Sequence, residues 1–176
     1  MGADSALHLR AAAPIGLELD GLQVASAIAA VLRDRPFDLL FFGRLAVDDQ
    51  SSQVGTMVAR LLGIPSVGDV TRIEPGEGRV RFHHLVEGRV EVVECPLPAA
   101  ATAQKGLAEP RYPSIKQIMT SKKKPLEVVE ARLPEPALEV VRLDLPPARQ
   151  PGRIVGTGAA AVPELLRLLR EEAKVL

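Results

Sequence analysis

Pro36-Phe37-Asp38-Leu39-Leu40-Phe41-Phe42-Gly43 is the stretch that decides the fold. Pro36 stops a helical pattern, the run behind it is almost continuously apolar, and Gly43 closes it. Such a run between turn residues suits a parallel strand covered on both faces. A polar loop follows, from Arg44 to Ser52, and Gln53 to Leu62 then resumes helical spacing before Gly63. On the near side, Asp20 stands as N-cap to residues 21–35, where Leu22, Ala25, Ile28, Ala29 and Leu32 recur at helical spacing. Helix, strand, polar loop, helix is the grammar of an α/β domain.

Further out, Ala6-Leu7-His8-Leu9 alternates as a short strand. The texture changes from Ser66. Val70 to Glu74, Arg79 to Val86 and Arg89 to Pro96 read as strands separated by Pro75-Gly76-Glu77-Gly78 and by Glu87-Gly88, a small antiparallel meander. Pro98 to Ala103 returns toward the main sheet, a short helix ends at Ser121, and strands are expected at Leu126 to Glu130 and at Leu138 to Leu143. A proline-rich crossing leads to a helix opening at Pro163, whose ring suits a first helical position. The expected organisation is an α/β domain over residues 1–145, with the antiparallel insertion at about 70–96, and an arm over residues 146–176 that packs on something else.

Composition narrows the function. In 176 residues, 47% are hydrophobic and 25% charged, as in an ordinary folded domain. Lys and Arg number 22 against 22 Asp and Glu, so no global field attracts nucleic acid or an acidic membrane surface. Aromatic residues make up 3%, too few for a base-stacking platform. No apolar run approaches the roughly 20 residues of a membrane span. The first residues show no signal peptide, and Ala6 stands where a myristoylation signal has Ser or Thr. A chain without membrane insertion, in the cytoplasm, is the expectation. The single cysteine, Cys95, excludes a disulfide framework and a CxxC metal knuckle, and its strand context reads as a small buried hydrophobe.

The strongest local signal for chemistry is Gly43-Arg44-Leu45-Ala46-Val47-Asp48-Asp49-Gln50-Ser51-Ser52-Gln53-Val54-Gly55, joining the carboxyl end of a strand to the start of a helix. Ligands of open α/β sheets bind at that edge. Free N–H groups and the helix dipole favour an anion, so Ser51, Ser52 and Gln53 are candidates to cradle a phosphate. Asp48 and Asp49 would repel it and fit better as acceptors for ribose hydroxyls or loop N–H groups. A serine N-cap on an ordinary helix accounts equally for the spacing. Gly156-Thr157-Gly158-Ala159-Ala160-Ala161, behind a short apparent strand, satisfies G-x-G-x-x-A but has no following strand and acid roughly 20 residues on, so it is set aside. His83 and His84 are neighbours on a strand and point to opposite faces, which disfavours a metal site. No metal ligand set, Ser/His/Asp or Cys/His arrangement is visible, and the chain reads as no enzyme on its own.

Glu109-Pro110-Arg111-Tyr112-Pro113-Ser114-Ile115-Lys116-Gln117-Ile118-Met119, with Lys122-Lys123-Lys124-Pro125 behind it, resembles the β subunit of electron transfer flavoprotein. The likeness extends through Met1-Gly2-Ala3-Asp4, Asp38-Leu39 leading into Gly43, Gln53-Val54-Gly55, Leu97-Pro98-Ala99 and Asp144-Leu145-Pro146-Pro147. The resemblance implies a Rossmann-like, mostly parallel sheet of the adenine-nucleotide-hydrolase type. It implies an electron carrier that forms a heterodimer with an α subunit and serves flavin dehydrogenases such as acyl-CoA dehydrogenase and a quinone oxidoreductase or similar acceptor. FAD would be shared with, and mainly held by, the α subunit. AMP would be bound structurally by Gly43 to Val54, with Ser52, Gln53 and Val54 at the phosphate; bifurcating relatives hold a second FAD there. Residues 103–125 would form the recognition loop, with Tyr112, Pro113, Ser114, Ile115, Lys116, Gln117, Ile118 and Met119 docking partners and Ile115 as the apolar anchor. The C-terminal arm would reach the α subunit.

Two departures accompany the resemblance. The family's opening strands, with segments of the V-K-x-V-P-D and N-P-x-D type, are missing, and Met1 matches an internal methionine; those segments normally supply much of the adenine pocket. Leu85 stands where many relatives carry a glutamate that pairs with the α subunit. A reading from another class, a free-standing adenine-nucleotide-binding module of the stress-protein type, covers the Gly43–Gly55 loop but gives residues 109–125 and the arm no purpose.

Overall fold

The computed structural model describes residues 2–11, 19–149 and 151–176. Two compact units divide the chain, Met1–Glu139 and Val140–Leu176. The first contains β1 (Ala6–Arg10), α1 (Gly21–Leu32), β2 (Leu39–Gly43), α2 (Val54–Leu62), β3 (Ser66–Pro75), β4 (Arg79–Val86), β5 (Arg89–Pro96), β6 (Ala99–Ala103), α3 (Ile115–Ser121) and β7 (Leu126–Glu130). Five strands form one sheet in the order β2-β6-β3-β4-β5. β2 and β3 run parallel to β6 on either side, whereas β3, β4 and β5 pair antiparallel. The sheet is therefore mixed: its parallel half carries the α/β character and its antiparallel half is the meander. β1 and β7 form a separate parallel pair, tied by Arg10–Glu130 at 3.1 Å and flanked by Arg35–Glu127 at 2.6 Å.

β6 occupies the doubly covered place. Its Ala-Ala-Ala-Thr-Ala sequence is buried from Ala99 to Thr102, and small side chains there let α2 lie close over the sheet. The expectation that residues 37–42 would be covered on both faces is corrected. β2 borders the five-stranded sheet, β6 is its one ladder partner among the described residues, and Phe41 is 55% exposed. Two clusters form the core of this unit. Phe82, Val70, Val80 and Cys95 pack between the meander and β6, while Ala25 and Ala29 of α1 meet Val58 of α2 with Leu40 and Phe42 against them. Burial pushes the Cys95 thiol up, so it packs as an apolar group.

Asp20 does more than start a helix. Its carboxylate accepts from Gln23 N at 2.8 Å, and Gln23 Oε1 accepts from Asp20 N at 3.2 Å, closing a capping box. The second oxygen of Asp20 accepts from Ala137 N at 2.6 Å, and Gln23 Nε2 donates to Pro134 O at 2.9 Å, so the cap also fastens residues 134–137 to α1. These amide donors, Gln23 first, hold the Asp20 carboxyl below its ordinary range. In the meander, Arg79 and then Arg81 do the same to Glu94. A carboxyl whose pKa is lower folded than unfolded adds stability above the unfolded value and loses it as pH falls through the folded value. We therefore expect the melting temperature to fall on acidification below the ordinary carboxylate range, with Asp20→Ala and Glu94→Gln flattening that fall. An unchanged acid slope in both variants would assign it to other carboxylates.

The second unit holds a 3₁₀ turn, Ala159–Ala161, and α4 (Val162–Glu171), with Pro163 in its first turn and Arg167 paired to Glu164 at 2.8 Å and to Glu171 at 2.7 Å. The strand expected at Leu138 to Leu143 is absent. Apolar alternation is present there, but no described strand offers it a ladder, and Val141 and Leu143 are exposed. The residues before Gly156 are likewise not a strand, which removes the local setting of the G-x-G-x-x-A match.

Candidate functional site

β2 and β6 run side by side to the same end, where Gly43 stands opposite Ala103 and the chain turns into the loop that leads to α2. Asp49 organises that loop. Its carboxylate accepts from Ser51 N at 3.1 Å and from Ser51 Oγ at 2.9 Å, while Asp48 Oδ1 accepts from Asp49 N at 2.9 Å. The Ser51 amide, then the Ser51 hydroxyl, hold Asp49 below the ordinary carboxylate range. Gln50 and Ser52 have φ of 51° and 54°, the left-handed region, so the loop holds two strained non-glycine residues.

The serine N-cap is not what the structure contains. Gln53 occupies the cap position of α2 without a side-chain cap hydrogen bond, so among the described residues no side chain takes the amides of the first turn. Gly55 lies so close to β2 that a Cβ on it would sit 2.9 Å from Phe42 Cβ and Cγ. A larger residue would push α2 off the sheet, so glycine here sets the distance between helix start and strand end.

Between them lies a cavity of about 330 Å³. Gly43, Arg44, Leu45, Ala46, Asp49, Ser51, Ser52, Gln53 and Val54 all line it, as does Gly55. Val47, Asp48 and Gln50 of the same loop do not; Val47 is exposed. Phe42 and Thr102 complete the wall and are not legible as site residues in sequence. The one departure from alanine in the run Ala99 to Ala103 is the signal in sequence that could have marked Thr102. Arg44 brings a positive charge, with Nε 2.6 Å from Asp69 Oδ1. The arrangement offers an anion a set of free amides and one guanidinium, beside an apolar wall from Phe42 and Leu45.

The other sequence candidates fall elsewhere in the first unit. Ser114 caps α3 in a box with Gln117, so Ile115 opens a helix as a residue 78% exposed. Tyr112, Ile118 and Met119 are also exposed. Lys124 is drawn to the start of the chain, where its ammonium meets the Ala3 carbonyl and approaches Asp4 at 4.0 Å. His83 and His84 approach different glutamates, Glu74 at 3.3 Å and Glu91 at 3.6 Å. Among the described residues no cluster could hold a metal ion, and no helix is long and apolar enough to cross a membrane.

A mixed α/β sheet with a ligand-sized cavity at the carboxyl end of its parallel strands is the layout of an α/β binding domain. Comparison with known proteins narrows the class. The family model for the electron transfer flavoprotein domain matches residues 1–134. The electron transfer flavoprotein subunit beta of Bacillus subtilis (strain 168) is 37% identical over 184 residues, covering 100% of this chain and 71% of the relative. That of Sus scrofa is 32% identical over 180 residues, 99% of this chain and 69% of the relative. That of Mus musculus is 37% identical over 131 residues, 74% of this chain and 51% of the relative. The chain belongs to the family of electron transfer flavoprotein β subunits.

Proposed function

We propose that the chain acts as the β subunit of a heterodimeric electron carrier and holds AMP as a structural nucleotide in the Gly43–Gly55 cavity. The observation that carries the nucleotide reading is the uncapped first turn of α2 opening into that cavity. A phosphate supplies the acceptor that the amides of this turn otherwise lack, and the positive end of the helix favours its charge. Ser52, Gln53 and Val54 stand at the phosphate. Ser51 is engaged by Asp49 and serves the loop. The donor set fits the group: Asp49 is occupied with loop hydrogen bonds, and Arg44 is the cation of the wall.

FAD, shared with and mainly held by an α subunit, supplies the redox chemistry when bound. This chain contributes the nucleotide platform and a docking segment around Ile115, through which flavin dehydrogenases such as acyl-CoA dehydrogenase reach the carrier. A quinone oxidoreductase or similar acceptor takes the electrons on.

Replacing Gln53 by Glu sets a negative charge beside the phosphate. The lost charge complementarity should weaken AMP retention by about 1–3 kcal/mol. Chromatography of nucleotide released from the denatured protein measures this. Retention equal to the parent's would move the phosphate away from α2.

A further inference from the structure

β3 is interrupted where it passes the cavity. Its register shifts against β6 between Val67 and Val70, and against β4 between Val70 and Arg72. Asp69 lies at this double irregularity with φ of 50°, a left-handed conformation that few side chains tolerate. The bend is fastened from the cavity wall: Asp69 N donates to Thr102 Oγ1 at 3.0 Å, and Thr102 is buried. Bulges beside sites commonly re-aim a side chain, and this one turns the Asp69 carboxylate onto the loop after β2. Oδ1 sits 2.6 Å from Arg44 Nε, is buried, and receives no aligned hydrogen bond, so charge holds the contact. Among the described residues no second acceptor engages Arg44, whose Nη1–Nη2 edge is left over, and Arg44 is one of the residues that line the cavity.

We infer that Asp69 is a positioning residue for the nucleotide site, holding Arg44 at the cavity wall with the outer edge of its guanidinium free for the anionic group of the ligand. This rests on the nucleotide reading above. An exposed Arg–Asp pair on a regular surface contributes little and would carry no such conclusion. Here a strained residue, a broken ladder and a buried threonine all serve to place one carboxylate against one cavity residue. An arginine held in advance loses less freedom when it takes a phosphate.

The test uses the chain in complex with its α subunit, stripped of nucleotide, and two probes, AMP and adenosine, titrated by calorimetry, because only AMP carries the anion. Asp69→Asn tolerates the left-handed backbone and keeps the shape but removes the charge. The ratio of AMP affinity to adenosine affinity should fall about three- to tenfold in Asp69→Asn and by a similar factor in Arg44→Gln. The double variant should lose no more than Arg44→Gln alone, since Asp69 acts through Arg44. A merely structural aspartate would lower the melting temperature and weaken both probes alike, leaving the ratio fixed, which overturns the inference. A ratio that rises in Asp69→Asn overturns it too, since Asp69 would then compete with the phosphate for Arg44. Additive losses would separate the two residues and have the same consequence. A parent chain that binds no AMP overturns the nucleotide reading and this inference together. A parent that binds AMP with an unaltered ratio in both variants overturns the inference alone.

Discussion

Expressed alone, the 176-residue chain is expected to self-associate. The cause is β2. Leu39-Leu40-Phe41-Phe42 carries no charge and no proline, and it forms the border of the five-stranded sheet with one ladder partner among the described residues. A flat apolar strand with an open edge is a template for pairing with another copy. Phe41, half-exposed on that strand, adds a ring to the exposed surface. A lysine on an edge strand opposes such pairing through charge, so Phe41→Lys should raise the monomer fraction in light scattering and sedimentation. A cooperative, concentration-independent melt of the parent monomer at high temperature would show that β2 is protected by other means.

The second large effect concerns docking. Ile115 opens α3 as an exposed residue between Ser114 and Lys116, and stands outside both core clusters. An exposed aliphatic on a capped, pre-ordered turn suits an anchor that fills a partner's pocket. Truncating such an anchor commonly costs about 2 kcal/mol or more of binding energy. In the heterodimer, Ile115→Ala should therefore lower electron transfer from a flavin dehydrogenase by tens of fold at sub-saturating carrier, about 1.4 kcal/mol being a factor of ten. Flavin content and melting temperature should stay near the parent's. Reversing the charge of Lys122 and Lys123 should act mainly on association rate at low salt. If Ile115→Ala destabilises the heterodimer with dehydrogenase coupling intact, Ile115 is a packing residue and the docking assignment fails.

Local chemistry explains which parts of this structure are readable from sequence. The bounds of β4 and β5 coincide with the alternating runs because Gly78, Glu87 and Gly88 adopt positive φ at the turns that separate them. The start of α1 is readable because Asp20 and Gln23 form their capping box within four residues. The loop from Gly43 is readable as a candidate site because a strand end, a polar run and a helix start are consecutive in the chain.

What depends on neighbours is not readable in this way. The apolar run ending in Phe42 looks the same whether it lies inside a sheet or at its border. Leu138 to Leu143 alternates as a strand does, but a strand needs a ladder and none is offered. Thr102 reaches the cavity, and Asp69 reaches Arg44, only because β6 lies between β2 and β3, and because β3 bulges there. No spacing in the sequence announces a contact between residues 44 and 69.

Co-purification with a family α subunit decides whether this chain is a working β subunit, the two being expressed together and only the β chain carrying an affinity tag. A stable one-to-one complex is expected, yellow from bound flavin and releasing AMP on denaturation. A colourless homo-oligomer that leaves the α subunit behind, with or without bound nucleotide, would contradict it.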